Sequence, residues 1–182
     1  MHQKKSGRIS IGVDMDGVLA DTETQFITYY EKETGEKFDK SAMIGVPESA
    51  AFPDKAAPMR YILSPGFFRT LPLIEGGVDA IRKLMENFEV YIVSAAVEFP
   101  LSLYEKKLWL EEHFPFIPWT HIVFCGDKSI IKTDYLIDDH LKNLDYFSGI
   151  PLMFTAAHNV KADHHKRLNN WQEILEYFEE IK

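Results

Sequence analysis

The run "ISIGVDMDGVLADT", residues 9–22, constrains this chain more than any other stretch. Its apolar, β-branched opening reads as a buried strand. The strand ends at Asp14, and Asp16-Gly17 then turns the chain. Two carboxylates one residue apart thus stand where a core strand surfaces. An acid beside a glycine often does no more than shape a turn. Further along, however, "YLIDDHL" closes another apolar strand with a second acid pair, Asp138 and Asp139. An N-cap followed by a first-turn acid would explain that pair in isolation.

Strand signals recur between helical stretches. They fall at 8–13, 88–94, 121–125, 135–138 and 151–154. The stretch "VDAIRKLMEN" aligns Ile81, Leu84 and Met85 with Phe88 a turn on, and "LSLYEKKLWLEEHF" leads towards the third strand. "WQEILEYFEEI" gathers Trp171, Ile174, Leu175, Phe178 and Ile181 on one face, with Asn170 and Glu173 as its cap. Short apolar strands alternating with amphipathic helices imply an α/β fold with a parallel sheet covered on both faces. Ligands of such sheets collect at the carboxyl ends of the strands.

Residues 21–75 break the rhythm, being too long for one crossover and holding no convincing strand. "TETQFITYYEKETG" predicts a helix with a capping box at Thr22 and Gln25 and a stop at Gly35. A second short helix ends at Ser64-Pro65-Gly66. The expected organisation is therefore a core of 1–20 and 76–182, with 21–75 as a helical cap over the strand ends. Most of the aromatics in and beside the cap, Phe26, Tyr29, Tyr30, Phe38, Phe52, Tyr61, Phe67 and Phe68, should pack helices, leaving one or two to stack on a base.

If the strands are parallel, both acid pairs meet at one rim. Four carboxylates so close repel one another. A hard divalent cation relieves the conflict, and oxygen ligands with room for water and phosphate favour Mg²⁺. Lys128 lies in a loop able to turn back over the acids, and Ser94 with the amide of Ala95 ends the second strand at the same rim. Partners divide along charge. With 182 residues and net charge −8, and no basic run, long nucleic acid and membrane surfaces are poor partners. A single cysteine, Cys125, allows no intrachain disulfide, so a reducing cytoplasm is the expected setting. The basic start "MHQKKSGRIS" precedes an apolar run too short for a signal peptide or membrane span. His158, His164 and His165 are expected in an exposed loop rather than at a zinc site.

Asp14-Met15-Asp16-Gly17-Val18, Ser94, Lys128 and Asp138-Asp139 resemble the ordered motifs of the haloacid dehalogenase (HAD) superfamily. That resemblance implies a Rossmann-like sheet of order 5-4-1-2-3. "DMDGVLADT", "PGFFRTLPLIEGGVDAI", "YEKKLW", "DKSIIKTDYLIDD" and "NNWQEIL" further resemble the 5′(3′)-deoxyribonucleotidases across nearly the whole chain. One departure is Ser94-Ala95-Ala96, where animal members carry threonine then serine after the strand. The resemblance implies Asp14 as nucleophile and Asp16 as general acid and base. It implies Mg²⁺ held by Asp14, the Asp16 carbonyl and Asp139, with Asp138 supporting Lys128. Ser94, Ala95, Lys128 and Lys106 of "YEKKLW" would hold the phosphate and substrate, a small-molecule nucleotide. An acid at position 16 favours a phosphatase over a dehalogenase or a slow phospho-switch. Two other readings stand beside it: a phosphatase of another small phosphoester, such as a sugar or cofactor phosphate, and a phospho-acceptor signalling domain. Animal relatives form homodimers, though no strip of this sequence demands a partner.

Overall fold

The computed structural model describes residues 7–181, so the basic segment 1–6 lies outside the described residues. Six parallel strands form one sheet in the order β3-β2-β1-β4-β5-β6. They are β1 (Ser10–Val13), β2 (Glu89–Ser94), β3 (Ile122–Phe124), β4 (Tyr135–Asp138), β5 (Ile150–Phe154) and β6 (Lys166–Leu168). The first five follow the expected order, each within two residues of its predicted bounds. β6 was not predicted: "KRL" is three residues long and carries two cations, and pairing with β5 is what makes it a strand.

The pleat sorts each central strand between two cores. Ile137 and Leu152 join the large cluster, while Leu136 and Met153 face the smaller one with Val93, Leu144 and Phe147. Helices α4 (Gly77–Asn87) and α7 (Trp171–Glu179) cover the large-cluster side, where Phe88 meets Phe178 edge-on at 5.2 Å. Ile81, Leu84, Trp171, Ile174 and Phe178 are buried as the period predicts, with Met85, Leu175 and Ile181 half-buried beside them. Asn170 accepts the amide of Glu173 at 2.9 Å, capping α7. On the opposite side, α6 (Leu141–Leu144) follows β4.

Between β1 and β2 the described residues form helices α1 (Thr22–Thr34), α2 (Glu48–Ala51) and α3 (Ala57–Ile62) before α4 begins, with a 3-10 turn at Lys40–Met43. The start of α1 differs from the expected capping box. Asp21 is the N-cap, its carboxylate accepting the Thr24 amide at 2.8 Å. Gln25 is instead buried, donating to the Phe67 carbonyl at 2.7 Å and to Thr70 at 2.8 Å. A tertiary partner 42 residues away outcompeted the local one. Gly35 ends α1 at φ 74°, as predicted. Phe26, Tyr30, Phe52, Tyr61 and Phe67 interlock, with Phe26 and Phe67 ring centres 4.8 Å apart. Helix α5 (Ser102–His113) braces the chain after α3: Glu105 accepts the amides of Gly66, Phe68 and Arg69, and Trp109 donates to the Leu71 carbonyl at 2.7 Å.

Candidate active site

β1 and β4 lie side by side, with Val13 paired to Ile137, so the residues after them emerge together. The Asp14 amide donates to the Ile137 carbonyl at 2.9 Å, extending the ladder one step. Carboxylate oxygens of Asp14, Asp138 and Asp139 all lie within 4.8 Å of one another, and all three residues are buried. The repulsion inferred from sequence is thus present in the fold. Burial, then Asp138, pushes the Asp14 carboxyl up to about 8, with Lys128 opposing and Asp139 and Asp16 adding to the rise. Asp139 is raised well above its ordinary value by burial and then by Asp138.

Two of the acids divide one lysine. The Nζ of buried Lys128, on the 3-10 turn Lys128–Ile130, stands 2.7 Å from Asp14 Oδ1 and 2.7 Å from Asp138 Oδ2. Burial opposes the lysine's charge, yet Asp14 and Asp138 outweigh it and hold its pKa above the usual range. Asp138 is otherwise satisfied, accepting from the His140 amide and from Asn143 Nδ2, both at 2.9 Å. Asp139 is not: its Oδ1 is buried with no hydrogen-bond partner, and Asp16 Oδ1 is in the same state. Buried carboxylate oxygens left without donors are costly. A hard cation fits this donor set of oxygens, and Asp14 and Asp139, whose carboxylate oxygens lie within 4.8 Å of each other, could hold it. Gly17 permits the crowding. At φ 71°, a Cβ there would come within 2.1 Å of Asp139 Oδ2.

The carboxylate of Asp16 turns to a second lysine. Lys106, on α5, pairs with Asp16 Oδ2, lies 3.0 Å from Ser94 Oγ and stands 4.7 Å above the Phe68 ring. A solvated helix face would have exposed Lys106; it is 2% exposed. Ser94 is fully buried, and Ala95 opens onto the neighbouring cavity. That cavity, about 480 Å³, is lined by Asp14, Asp16, Lys106 and Lys128 together with Phe26, Phe67, Phe68 and Phe99. Asp14, Asp16, Ala95, Lys106 and Lys128 therefore share one cavity, with Ser94 and Asp138 bonded to its two lysines, while Asp139 lines an adjoining cavity with Gly17, Glu48 and His158.

Four participants escaped the sequence reading. Phe99 stacks on Phe68 at 6.1 Å, and Asn143 supports Asp138. Glu48 and His140 line the same cavity as Asp14. His140 and Asn143 were visible as neighbours of Asp139 in "DDHLKN"; Glu48, about 90 residues away, carried no local signal. One expectation is corrected. His158 is not in a solvated loop: its Nε2 donates to the Asp139 carbonyl at 3.1 Å and its Nδ1 faces Glu48 Oε1 at 3.4 Å. Burial opposes charge on that ring, but Glu48 and Asp139 prevail and raise it to about 9. His140, stacked on His158 at 4.4 Å, is lowered by burial and by that neighbouring ring. His164 is exposed as expected, whereas His165 is half-buried; both reach Asp145 Oδ1, at 2.9 and 2.7 Å.

A parallel sheet with these acids at the tips of its two central strands defines the class of HAD-like hydrolases. A solved HAD family hydrolase from Deinococcus radiodurans R1, with bound phosphate and sodium, shares the fold with a TM-score of 0.65 at 14% identity, over 97% of each chain. Within that class, the chain belongs to the family of 5′ nucleotidase, deoxy (Pyrimidine), cytosolic type C proteins (NT5C), whose model matches residues 8–180. It is 41% identical over 174 residues to a Staphylococcus aureus (strain Mu50) protein assigned provisionally as a 5′(3′)-deoxyribonucleotidase, covering 94% of this chain and 96% of the relative. It is 38% identical over 164 residues to the 5′(3′)-deoxyribonucleotidase of Bacillus subtilis (strain 168), covering 90% and 95%. Membership makes the chain a phosphoric monoester hydrolase. Among the described residues, no helix is long and apolar enough to cross a membrane.

Proposed function

We propose that the protein hydrolyses deoxynucleoside 5′-monophosphates to deoxynucleoside and phosphate, using Mg²⁺ and an aspartyl-phosphate intermediate. The observation that carries this reading is a single cavity. Phosphate-handling groups (Asp14, Asp16, Lys106 and Lys128) share it with aromatic faces able to stack on a base (Phe26, Phe67, Phe68 and Phe99). The names of the relatives support the substrate class. Residues 21–75 act as the cap, a reading supported by Phe26, Glu48, Ser49, Pro58, Met59 and Ile62, which line the same cavity as Asp14, Asp16 and Lys128. The family description and the single buried cysteine support a cytoplasmic setting.

Uncatalysed phosphomonoester hydrolysis is so slow that enzymes supply up to about 10²¹-fold acceleration, so one nucleophile is insufficient. Asp14 attacks phosphorus, and the bond to the leaving 5′ oxygen breaks as an acyl phosphate forms on Asp14. Asp16 gives its proton to that oxygen, then takes one from the water that cleaves the acyl phosphate. For this, Lys106 must turn from Asp16 to the incoming phosphate as substrate enters, freeing Asp16 to hold the proton that it gives and, from the attacking water, regains. Lys128 opposes the burial and the neighbouring acids that hold the Asp14 carboxyl up, and pairs with the incoming phosphate oxygens, while Asp138, itself held by Asn143, fixes the lysine's position. Ser94, through Lys106, and the amide of Ala95 hold the remaining oxygens. Bound at Asp14, Asp139 and the Asp16 carbonyl, Mg²⁺ supplies the neutralising charge that lets anionic carboxylate and anionic phosphate meet.

A panel of phosphoesters tests the proposal. Deoxynucleoside 5′-monophosphates should exceed sugar phosphates in kcat/KM by at least about tenfold, the minimum expected if stacking on a ring adds ~1.5 kcal/mol. Equal rates on both would retire the nucleotide assignment while leaving the phosphatase chemistry standing.

A further inference from the structure

We propose that Glu48, His140 and His158 form a second cation site, taking a Zn²⁺-class divalent ion and tying helix α2 to the sheet core. The three residues come from separate segments: α2, the turn after β4, and the turn after β5. One ligand atom from each lies within 4.8 Å of the others, and all three residues are partly buried. At Zn–N and Zn–O distances of about 2 Å, tetrahedral neighbours lie roughly 3.3 Å apart, so closure needs side-chain shifts on the order of an ångström.

The state of His158 is the independent observation. Its Nε2–H is committed to the Asp139 carbonyl at 3.1 Å, so Nδ1, once it gives up its proton, is the atom that offers a lone pair. That Nδ1 is buried without a hydrogen bond, facing Glu48 Oε1 at 3.4 Å. A lone pair and a carboxylate oxygen confronting each other require a cation between them, either a proton or a metal. A ring nitrogen oriented by a hydrogen bond from its partner nitrogen to a carbonyl is the usual arrangement of a ligating histidine. His140 lies stacked on the same ring at 4.4 Å and 19°, so a second imidazole is at hand, and it would join the ion by turning its ring out of the stack.

Donor chemistry separates this site from the carboxylate site. Two imidazoles and one carboxylate suit Zn²⁺ and its transition-metal neighbours, whereas the all-oxygen set at Asp14 and Asp139 suits Mg²⁺. Glu48 and His140 also line the substrate cavity, so an ion here would link α2 to the turn after β4 at that cavity's wall. The proposal does not depend on the nucleotidase reading.

The test is calorimetric titration of the full chain with Zn²⁺ in saturating Mg²⁺. The background carries His164→Ala and His165→Ala, which removes the trio they form with Asp145 as a competing ligand set. One Zn²⁺ per chain should bind, and Glu48→Gln and His140→Asn should each weaken it by at least about tenfold. X-ray absorption of the Zn²⁺ complex should show two imidazole ligands. His158 is left intact because it also supports Asp139. Absence of Zn²⁺ binding would mean that a proton alone bridges His158 and Glu48, and would overturn the site. Binding unchanged in both variants, or Zn²⁺ displaced by added Mg²⁺, would overturn it equally. Because activity is not the readout, failure of the phosphatase chemistry cannot be mistaken for failure of this site.

Discussion

The paired strands β1 and β4 meet acids at both ends of the pair, Asp134 at the amino end and Asp14, Asp138 and Asp139 at the carboxyl end, and the protein treats the two ends oppositely. At the amino end, Asp134 leads into β4 beside Ser10 of β1. Its Oδ2 accepts the Ser10 amide at 2.7 Å and the Ser10 hydroxyl at 2.8 Å, and the Asp134 amide returns a bond to the Ser10 carbonyl at 2.9 Å. At the carboxyl end, Asp14 and Asp139 are crowded by other acids, and Asp139 Oδ1 and Asp16 Oδ1 find no donor. One end is a closed hydrogen-bond account, the other a standing electrostatic deficit. The contrast teaches how to read a carboxylate at a strand tip: donors supplied by its neighbours make it structural, and donors withheld mark it for a ligand.

The largest effect should come from the deficient end. Asp14→Asn should cut turnover by at least about four orders of magnitude, since it removes the nucleophile. It should not lower the unfolding temperature of the cation-free protein, because a repelling charge goes with it. A kcat measurement paired with a melting curve checks both. Chelation of divalent cations should abolish turnover and lower the melting temperature of the wild type, and added Mg²⁺ should restore both. A fall in activity without a change in stability would show that the acids do not need the ion they are placed to hold.

Asp16→Asn should reduce turnover by about two to four orders of magnitude with little change in KM, the range for losing a general acid and base. The loss should shrink for substrates with better leaving groups, such as an aryl phosphate, and a uniform loss would argue for a positioning role. At the satisfied end the ranking reverses. Asp134→Ala should cost about 2 kcal/mol of stability while leaving kcat within about twofold, judged by urea denaturation and steady-state rates. The smallest and sharpest test is Gly17→Ala, which forces a Cβ into the space of Asp139 Oδ2 at a positive φ. It should cost about 1–2 kcal/mol and weaken Mg²⁺ dependence specifically. If Mg²⁺ affinity is unchanged, Asp139 is not where the cation rests.

Much of this was legible in the linear chain. That both acid pairs reach one rim follows from two apolar runs that each end in acids within a parallel sheet, and the order of five strands, β1 beside β4 included, follows from the resemblance those motifs carry. Lys106 was readable only as a member of "YEKKLW"; nothing in its own helix distinguishes it from Lys107, which is paired to Glu111 on the surface. What separates them is which face α5 turns to Asp16, a matter of packing. Gln25 was misread for a related reason. Its spacing suits a capping box, but Phe67 and Thr70 offered a buried amide better partners than the helix end did. His158 looked solvated because its sequence neighbours are polar, whereas its spatial neighbours are Asp139, His140 and Glu48.

The sequence by itself determined the alternation of strands and helices, the acids at the strand ends and the conflict of like charges they create. These depend on local periodicity and on residue chemistry, which neighbours along the chain suffice to specify. Only the tertiary structure decided which oxygens stay without donors, which lysine faces which acid, and which cap residue meets the histidines. Those outcomes depend on distances between segments scores of residues apart, and no local pattern encodes a distance until the chain has packed.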